Sequence, residues 1–140
     1  MTRKQHYAEI VRRFSQVGAV RLLGMKVSRL APGRATLTLD AGPRHSHPRG
    51  IHGGVLAALA DTALAMALYT RVHPRALLST VEMKINYLAP HQQGRLRARA
   101  RVLRLGRRWA VGEVEIRNAA RVLVAKSLLT YSIRPQESKG

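Results

Sequence analysis

The sequence predicts an α+β domain in which an antiparallel sheet wraps around one long, buried helix. Residues 55–72 suit a helix and are apolar on nearly every side, which is typical of a helix that protein surrounds. Downstream, residues 77–133 contain four segments with alternating apolar and polar positions, as antiparallel strands have. The 140 residues fit one domain spanning 1–140, in which we expect 134–140 to be a frayed tail.

The elements before the central helix can be taken in chain order. Residues 5–16 have apolar positions at helical spacing and predict an amphipathic helix. Pro32 and Gly33 indicate a turn, and residues 35–40 alternate with period two, as a half-buried strand does. Residues 41–52 hold glycine, proline and three histidines, which predicts a loop. Gly53 and Gly54 then open the central helix, and Pro74 follows its end.

The four later strands are expected at 77–88, 95–103, 109–117 and 122–133, with a turn at 118–121. The second and third of them form a hairpin, and both carry their apolar residues at even positions. These faces must coincide, so the loop holds an odd number of residues. We expect a three-residue loop with Gly106 in a left-handed conformation, Arg99 opposite Glu115 and Arg101 opposite Glu113.

The composition restricts the chemistry and the compartment. The chain has no cysteine, which excludes disulfides, thiolate nucleophiles and cysteine-based zinc sites, and suits a reducing cytosol. The first residues lack the apolar core of a signal peptide. The longest apolar stretch, 55–69, is short for a membrane span and contains Asp61. We therefore expect a cytoplasmic protein that does not enter a membrane.

The net charge of +18 predicts an anionic partner. Nucleic acid, an anionic membrane and a phosphate-rich small molecule all fit such a charge. A surface that only keeps the protein in solution fits equally well, because the arginines are spread along the chain.

Asp61 is the candidate catalytic residue. Among the seven acidic residues it alone lies inside an apolar helix, within the segment LAALADTALAMAL. A lone carboxylate there costs several kcal/mol unless it is paired, hydrogen-bonded or useful. It could simply accept hydrogen bonds from a neighbouring loop. The functional alternative is a nucleophile or general base.

The segment Gly50-Ile51-His52-Gly53-Gly54 precedes this helix and suggests an oxyanion hole. A helix N-terminus has unpaired N–H groups and a partial positive charge, and adjacent glycines let a substrate oxygen approach the backbone. An ordinary glycine-rich helix entry is the alternative, and His52 is either structural or in contact with substrate. His45 and His47 lack further ligands at metal spacing, so no metal site is expected.

The spacing of Gly53 and Asp61 predicts a site shared by two chains. Eight residues of helix separate them by about 12 Å, at about 1.5 Å per residue. A thioester carbonyl group must lie roughly 3 Å from both the oxyanion donor and the attacking group. We therefore expect Gly53 from one subunit to meet Asp61 from its partner across a two-fold axis.

At these residues the sequence resembles the phenylacetate-degradation (PaaI-like) type of hotdog acyl-CoA thioesterases. The resemblance covers nearly the whole chain and is carried by HGGVLAALADTALAMAL, STVEMKINYLAP, LRLGRRWAVGEVEIRN and LVAKSLLTYSI. It implies a hotdog fold, an acyl-CoA substrate, a homodimer and often a dimer of dimers, and no cofactor.

The resemblance also implies roles for individual residues. Asp61 matches the catalytic acid, acting as a base on water or as a nucleophile, and Gly53 matches the oxyanion donor. His52 matches the adjacent loop histidine, and Thr80 matches a hydroxyl group that places the attacking water. Many relatives have an asparagine in the loop before HGG. Here Ser46 or His47 stands in its place.

Three further residues complete the predicted substrate site. Gly54 neighbours the oxyanion donor, and Arg107 and Arg108 at the hairpin turn are candidates for contacts with the phosphates of coenzyme A. A solvated turn is the alternative for the two arginines.

Three alternatives to an acyl-CoA thioesterase stay open. Acyl carrier protein could carry the thioester, since a basic surface also suits an acidic carrier. A hotdog hydratase or dehydratase needs a histidine together with a carboxylate, whereas here His52 precedes the helix and Asp61 lies deep inside it. The third alternative is a non-catalytic acyl-CoA-binding or regulatory hotdog protein. Contact with DNA is one option for it and would predict a helix-turn-helix or a basic extension. The acyl group cannot be read from the sequence, and we expect no nucleic-acid partner.

Overall fold

The computed structural model describes residues 1–136 and contains three helices and eight strands there. Of the predicted tail, Arg134 ends the last strand, and residues 137–140 lie outside the described residues. The elements, in chain order, are α1 (Arg3–Phe14), α2 (Gly18–Leu23), β1 (Lys26–Ala31), β2 (Arg34–Ala41), a 3-10 turn (Pro43–His45), β3 (Ser46–His47), β4 (Gly50–Ile51), α3 (Gly53–Tyr69), β5 (Leu77–Tyr87), β6 (Gly94–Leu105), β7 (Trp109–Asn118) and β8 (Leu123–Arg134).

The N-terminal helix begins earlier than its apolar pattern suggested. Thr2 and Gln5 form a capping box, in which each side chain bonds the other residue's backbone N–H, so α1 starts at Arg3 rather than near residue 5. Ile10 and Phe14 are buried, as the apolar spacing predicted. The short α2 and strand β1 follow and were not predicted.

Six strands form one antiparallel sheet in the order β1-β2-β6-β7-β8-β5. Strand β5 is therefore an edge strand with β8 as its single neighbour, although it comes first of the four later strands in the sequence. The predicted α+β class and the antiparallel pairing are confirmed.

The loop over residues 41–52 is more ordered than its composition suggested. Strands β3 and β4 make a small hairpin, and His45 lies beneath it with 2% of its surface exposed. The His45 ring accepts the N–H of Gly42 at Nδ1, and its Nε2 lies 2.8 Å from the carbonyl oxygen of Leu23. His45 is thus a structural histidine that holds the entry to α3.

Helix α3 packs against β2, β6 and β7 but is not surrounded on all sides. Leu59, Ala60, Ala63, Leu64 and Ala67 are fully buried against the sheet. The opposite face is partly exposed, and its residues are small or polar: Gly54, Ala57, Ala58, Asp61, Thr62 and Ala65. The expectation that this helix has no side toward water was wrong, because alanine and glycine read as apolar but cover little surface.

The β6–β7 hairpin has the predicted pairing, with Arg99 opposite Glu115 and Arg101 opposite Glu113. Three residues, 106–108, connect the strands, as expected. Gly106 is not among the residues with positive φ, so its predicted left-handed conformation was wrong. Instead, the pairing shifts by one residue between Val102 and Arg104, so that β6 contains one extra residue just before the turn.

A second register shift lies in β5, where Val81 has no partner between the pairs Thr80–Tyr131 and Glu82–Thr130. Beyond it, Met83, Ile85 and Tyr87 pair with Leu129, Ser127 and Ala125 of β8. Side chains alternate along a strand, so without this bulge Thr80 and Tyr87 would point to opposite faces of the sheet. The bulge lets both face α3.

Candidate active site

Asp61 lies at the middle of the uncovered face of α3 and is half-buried. Its Oδ1 accepts hydrogen bonds from two hydroxyl groups, those of Thr80 (2.7 Å) and Tyr131. Among residues 1–136, no group donates a hydrogen bond to Oδ2. One carboxylate oxygen is therefore fixed, while the other is free to meet a substrate or a water molecule.

The two hydroxyl donors come from neighbouring strands at the same level. Thr80 of β5 and Tyr131 of β8 are cross-strand partners, and both face α3. Thr80 is exposed at the sheet edge, whereas Tyr131 is only 3% exposed. The Tyr131 hydroxyl also lies 2.7 Å from the main-chain oxygen of Asp61. Sequence reasoning predicted Thr80 at this site but missed Tyr131.

The phenol of Tyr131 stays protonated. Burial, and after it the hydrogen bond to Asp61, raise the pKa of this hydroxyl group well above its usual range. A group that keeps its proton over the working pH range acts as a donor, so Tyr131 stabilises the charged form of the Asp61 side chain.

Gly53 is the first residue of α3, and its N–H has no acceptor among residues 1–136. The next N–H, that of Gly54, bonds Nδ1 of the His52 ring at 2.9 Å, and the N–H of Val55 bonds the carbonyl oxygen of His52. Of the two predicted glycines, Gly53 therefore has the free donor, while the donor of Gly54 is used by the helix cap.

His52 is the N-cap of α3 and is exposed. Because its Nδ1 accepts the Gly54 N–H, the neutral ring carries its proton on Nε2, where it can donate. The ring of His47 stands edge-on to it, with ring centres 6.3 Å apart. Ser46, the other residue predicted in this loop, uses its hydroxyl group to bond the carbonyl oxygen of Gly42.

Tyr87 supports the same end of the helix and was not predicted. Its hydroxyl donates to the carbonyl oxygen of Gly53 at 2.8 Å, and its ring lies where a Cβ on Gly53 would be 3.1 Å away. A groove of about 390 Å³ opens beside Gly53, and its polar lining residues are His47, Arg49, Tyr87 and His91. Arg49 gives the Gly53 end of the helix a positive charge.

Within one chain, the predicted site residues fall into two groups. Asp61 and Thr80 lie at one end of β5, level with Ala110 of β7 and thus near the turn that carries Arg107 and Arg108. The residues of the HGG loop lie at the other end of β5, beside Tyr87: Ser46, His47, His52, Gly53 and Gly54. The β8 partners of Thr80 and Tyr87 are Tyr131 and Ala125, which are separated by roughly 20 Å of strand.

The described residues contain neither a cluster of metal-binding side chains nor a helix that could span a membrane. Residues 1–136 hold no group of three or more histidine, cysteine, aspartate or glutamate side chains placed to bind a metal ion. No helix in the same range has the length and apolar character needed to cross a membrane.

Comparison with known proteins gives the family. The thioesterase superfamily (4HBT) profile matches residues 50–125, which include Gly53, Asp61 and Thr80. A putative esterase of Pasteurella multocida is 30% identical over 96% of this chain and 98% of its own length. A medium/long-chain acyl-CoA thioesterase of Salmonella typhimurium, YigI, is 25% identical over 81% of this chain and 83% of its own.

Among solved structures, a variant of the phenylacetic acid degradation protein PaaI from Thermus thermophilus is 35% identical. It superposes with a TM-score of 0.75 and covers 83% of this chain and 98% of its own. The likeness to the PaaI type that the sequence suggested is thereby confirmed. The chain belongs to the thioesterase superfamily and is a thioester hydrolase with the hotdog fold.

Proposed function

We propose that this chain hydrolyses an acyl-CoA to the free acid and coenzyme A, with Asp61 as its catalytic carboxylate. The observation that carries the proposal is the Asp61 side chain itself. It lies on the partly exposed face of α3. Two hydroxyl groups donate hydrogen bonds to Oδ1, and no group among residues 1–136 donates one to Oδ2. The relatives named above act on esters or acyl-CoA according to their names, and this supports the same substrate class here.

A second copy of the chain supplies the oxyanion donor in this proposal. Asp61 and Gly53 are about 12 Å apart along one helix, too far for one carbonyl group to meet both. A two-fold axis beside β5 sets the two helices antiparallel and brings the Gly53 N–H of one subunit to Asp61 of the other. The exposed small residues of α3 allow the helices to approach closely.

The chemistry then follows from these groups. Asp61 Oδ2 takes a proton from a water molecule, whose oxygen adds to the thioester carbonyl carbon. The Gly53 N–H donates to the oxygen that becomes negative. The C–S bond breaks, the acid forms, and the thiolate of coenzyme A receives the proton from Asp61. In the alternative route Asp61 attacks the carbonyl carbon itself, and the C–S bond breaks to release the thiolate of coenzyme A. Water then hydrolyses the resulting mixed anhydride to the free acid and Asp61, and the proton that this step releases neutralises the thiolate.

The positive charge of the chain fits the phosphates of coenzyme A. Arg107 and Arg108 are exposed at the Asp61 end, and Arg49 lines the groove at the Gly53 end. In the proposed dimer these two ends meet, so all three arginines border one site. A dimer of dimers and a cytoplasmic location stay predictions.

The first experiment measures thiol release from acyl-CoAs with short, medium, long and aromatic acyl groups. A thiol reagent reports coenzyme A cleanly, because the chain has no cysteine of its own. We expect Asp61→Asn to lower kcat by about 10²- to 10⁴-fold, the usual contribution of a general base, with an unchanged thermal melt. Wild-type turnover in Asp61→Asn would refute the assignment, and no turnover with any acyl-CoA would refute the substrate class.

A further inference from the structure

We infer that Tyr131 is a positioning residue for this hydrolysis, which holds the Asp61 carboxylate in the orientation that leaves Oδ2 for the reaction. The inference deepens the proposed function and rests on the role given there to Asp61. It starts from a buried hydroxyl group that contacts the side chain and the backbone of one helical residue at once.

The ring of Tyr131 is held rigidly. It lies within β8 between two strands, with Ala110 of β7 on one side and Thr80 of β5 on the other. Because only 3% of its surface is exposed and both neighbours are hydrogen-bonded strands, the hydroxyl group has little freedom to move. A donor at a fixed place sets the side-chain rotamer of Asp61.

Thr80 and Tyr131 bond the same oxygen but differ in what surrounds them. Thr80 lies on the edge strand directly before the bulge at Val81, and among residues 1–136 this strand pairs only with β8. Tyr131 belongs to the interior of the sheet. We therefore assign the fixed reference point to Tyr131, because Thr80 lies exposed on the edge strand.

The contact to the main-chain oxygen gives Tyr131 a second acceptor. A phenol has one proton, and here it can point to Oδ1 or to the backbone oxygen of Asp61. When the carboxylate is charged, Oδ1 is the stronger acceptor. When Asp61 has taken the proton of water, the backbone oxygen still satisfies the hydroxyl group, so neither state leaves a buried donor unpaired.

The decisive variant is Tyr131→Phe, which removes one oxygen and keeps the ring. Tyr69→Phe is the matched control, because the Tyr69 hydroxyl also bonds a backbone oxygen, that of Ala76, but does not contact Asp61. We expect Tyr131→Phe to lower kcat about 10- to 100-fold, the effect of losing one hydrogen bond to a charged group, with KM nearly unchanged. Tyr69→Phe should leave kcat as in the wild type.

The split between kcat and KM separates positioning from simple bracing. A misplaced Asp61 carboxylate slows the chemical step, whereas the binding of substrate does not depend on it. The thermal melt of each variant shows separately how much the hydroxyl group stabilises the fold. A Tyr131→Phe variant that melts at a lower temperature but keeps its kcat would show that the hydroxyl group only braces the helix.

A measurement without activity keeps this inference apart from the proposed function. The carboxyl carbon of Asp61 can be observed by NMR, and only seven acidic side chains contribute signals. We expect the chemical shift of this carbon to change in Tyr131→Phe and to stay as in the wild type in Tyr69→Phe, whether or not any acyl-CoA is hydrolysed. An unchanged chemical shift in Tyr131→Phe overturns the inference. Tyr131→Met supplies a second hydroxyl-free variant if the phenylalanine variant does not fold.

Discussion

Gly53 combines two properties at one residue, a free N–H and close contact with a tyrosine ring. Its N–H has no acceptor among residues 1–136, and a Cβ at this position would lie 3.1 Å from the ring of Tyr87. Its φ is not positive, so the backbone conformation does not require glycine here. Because glycine has no side chain, both the Tyr87 ring and a substrate oxygen can approach this part of the backbone.

Replacement of Gly53 by proline and by alanine separates these two properties. Both variants add a Cβ beside Tyr87, but only proline removes the N–H. Proline suits the first position of a helix, and His52 before it already has the extended conformation, φ −60° and ψ 130°, that proline requires. We expect Gly53→Pro to lose about 10²- to 10³-fold in kcat, the usual effect of removing an oxyanion donor.

The alanine variant sets the baseline for that comparison. Gly53→Ala keeps the donor, so its kcat should lie far closer to the wild type, with a small loss because the Tyr87 ring must shift by a few tenths of an ångström. Equal kcat values for the proline and alanine variants would exclude the Gly53 N–H as the donor.

Some of these residues could be predicted from the sequence alone, and others could not. Asp61 was found because a charge in an apolar helix is conspicuous, and Gly53 because glycines precede the helix. Tyr131 and Tyr87 were missed because a tyrosine on the buried face of a strand is ordinary. Tyr131 shares its odd-numbered face with Ala125, Ser127 and Leu129. Only the folded structure shows that the Tyr131 side chain contacts Asp61.

The edge strand β5 is the element at which we expect a second chain to join. It is 11 residues long and unpaired on one side, whereas β1, the other edge, has six residues and a register shift. Leu77 and Val81 of β5 are more than half exposed. Such an edge is a template for pairing with another strand. The alternation of β5 was predictable, but its bulge and its edge position were not, because both depend on β8.

The proposed two-fold arrangement also fixes which part of β5 meets its copy. Asp61 is bonded to Thr80, and Gly53 to Tyr87, so bringing Asp61 to the partner's Gly53 sets Thr80 level with Tyr87 of the other chain. Because Val81 is a bulge without a partner, the paired positions between Thr80 and Tyr87 run from 82 to 86, and their midpoint is Lys84. The two Lys84 side chains, which lie on the outer face of the sheet, should therefore be close neighbours across the axis.

We expect Lys84→Cys to be cross-linked into a covalent dimer by a short bis-maleimide, and Arg29→Cys on the opposite edge strand to stay monomeric on a denaturing gel. The chain has no other cysteine, so each variant carries one reactive site. Efficient cross-linking of Arg29→Cys with none for Lys84→Cys would place the interface at the other edge of the sheet.

A single chain does not bring the carboxylate and the oxyanion donor of the proposed site together. The single chain keeps its carboxylate and the Gly53 N–H at opposite ends of β5, and the three arginines proposed to bind phosphate divide in the same way between Arg49 and the Arg107–Arg108 turn. A shared site would make each dimer contain two identical catalytic centres, each with Asp61 from one subunit and Gly53 from the other.

Complementation between two inactive variants tests this directly. An Asp61→Asn chain still offers Gly53, and a Gly53→Pro chain still offers Asp61. A heterodimer of the two therefore has one intact site and one with both defects. We expect heterodimers isolated by two affinity tags after co-expression to recover about half of the wild-type turnover per dimer. Differently tagged copies of the same variant, isolated in the same way, should remain inactive. If each site were built within one chain, every subunit of the heterodimer would carry a defect and no turnover would return.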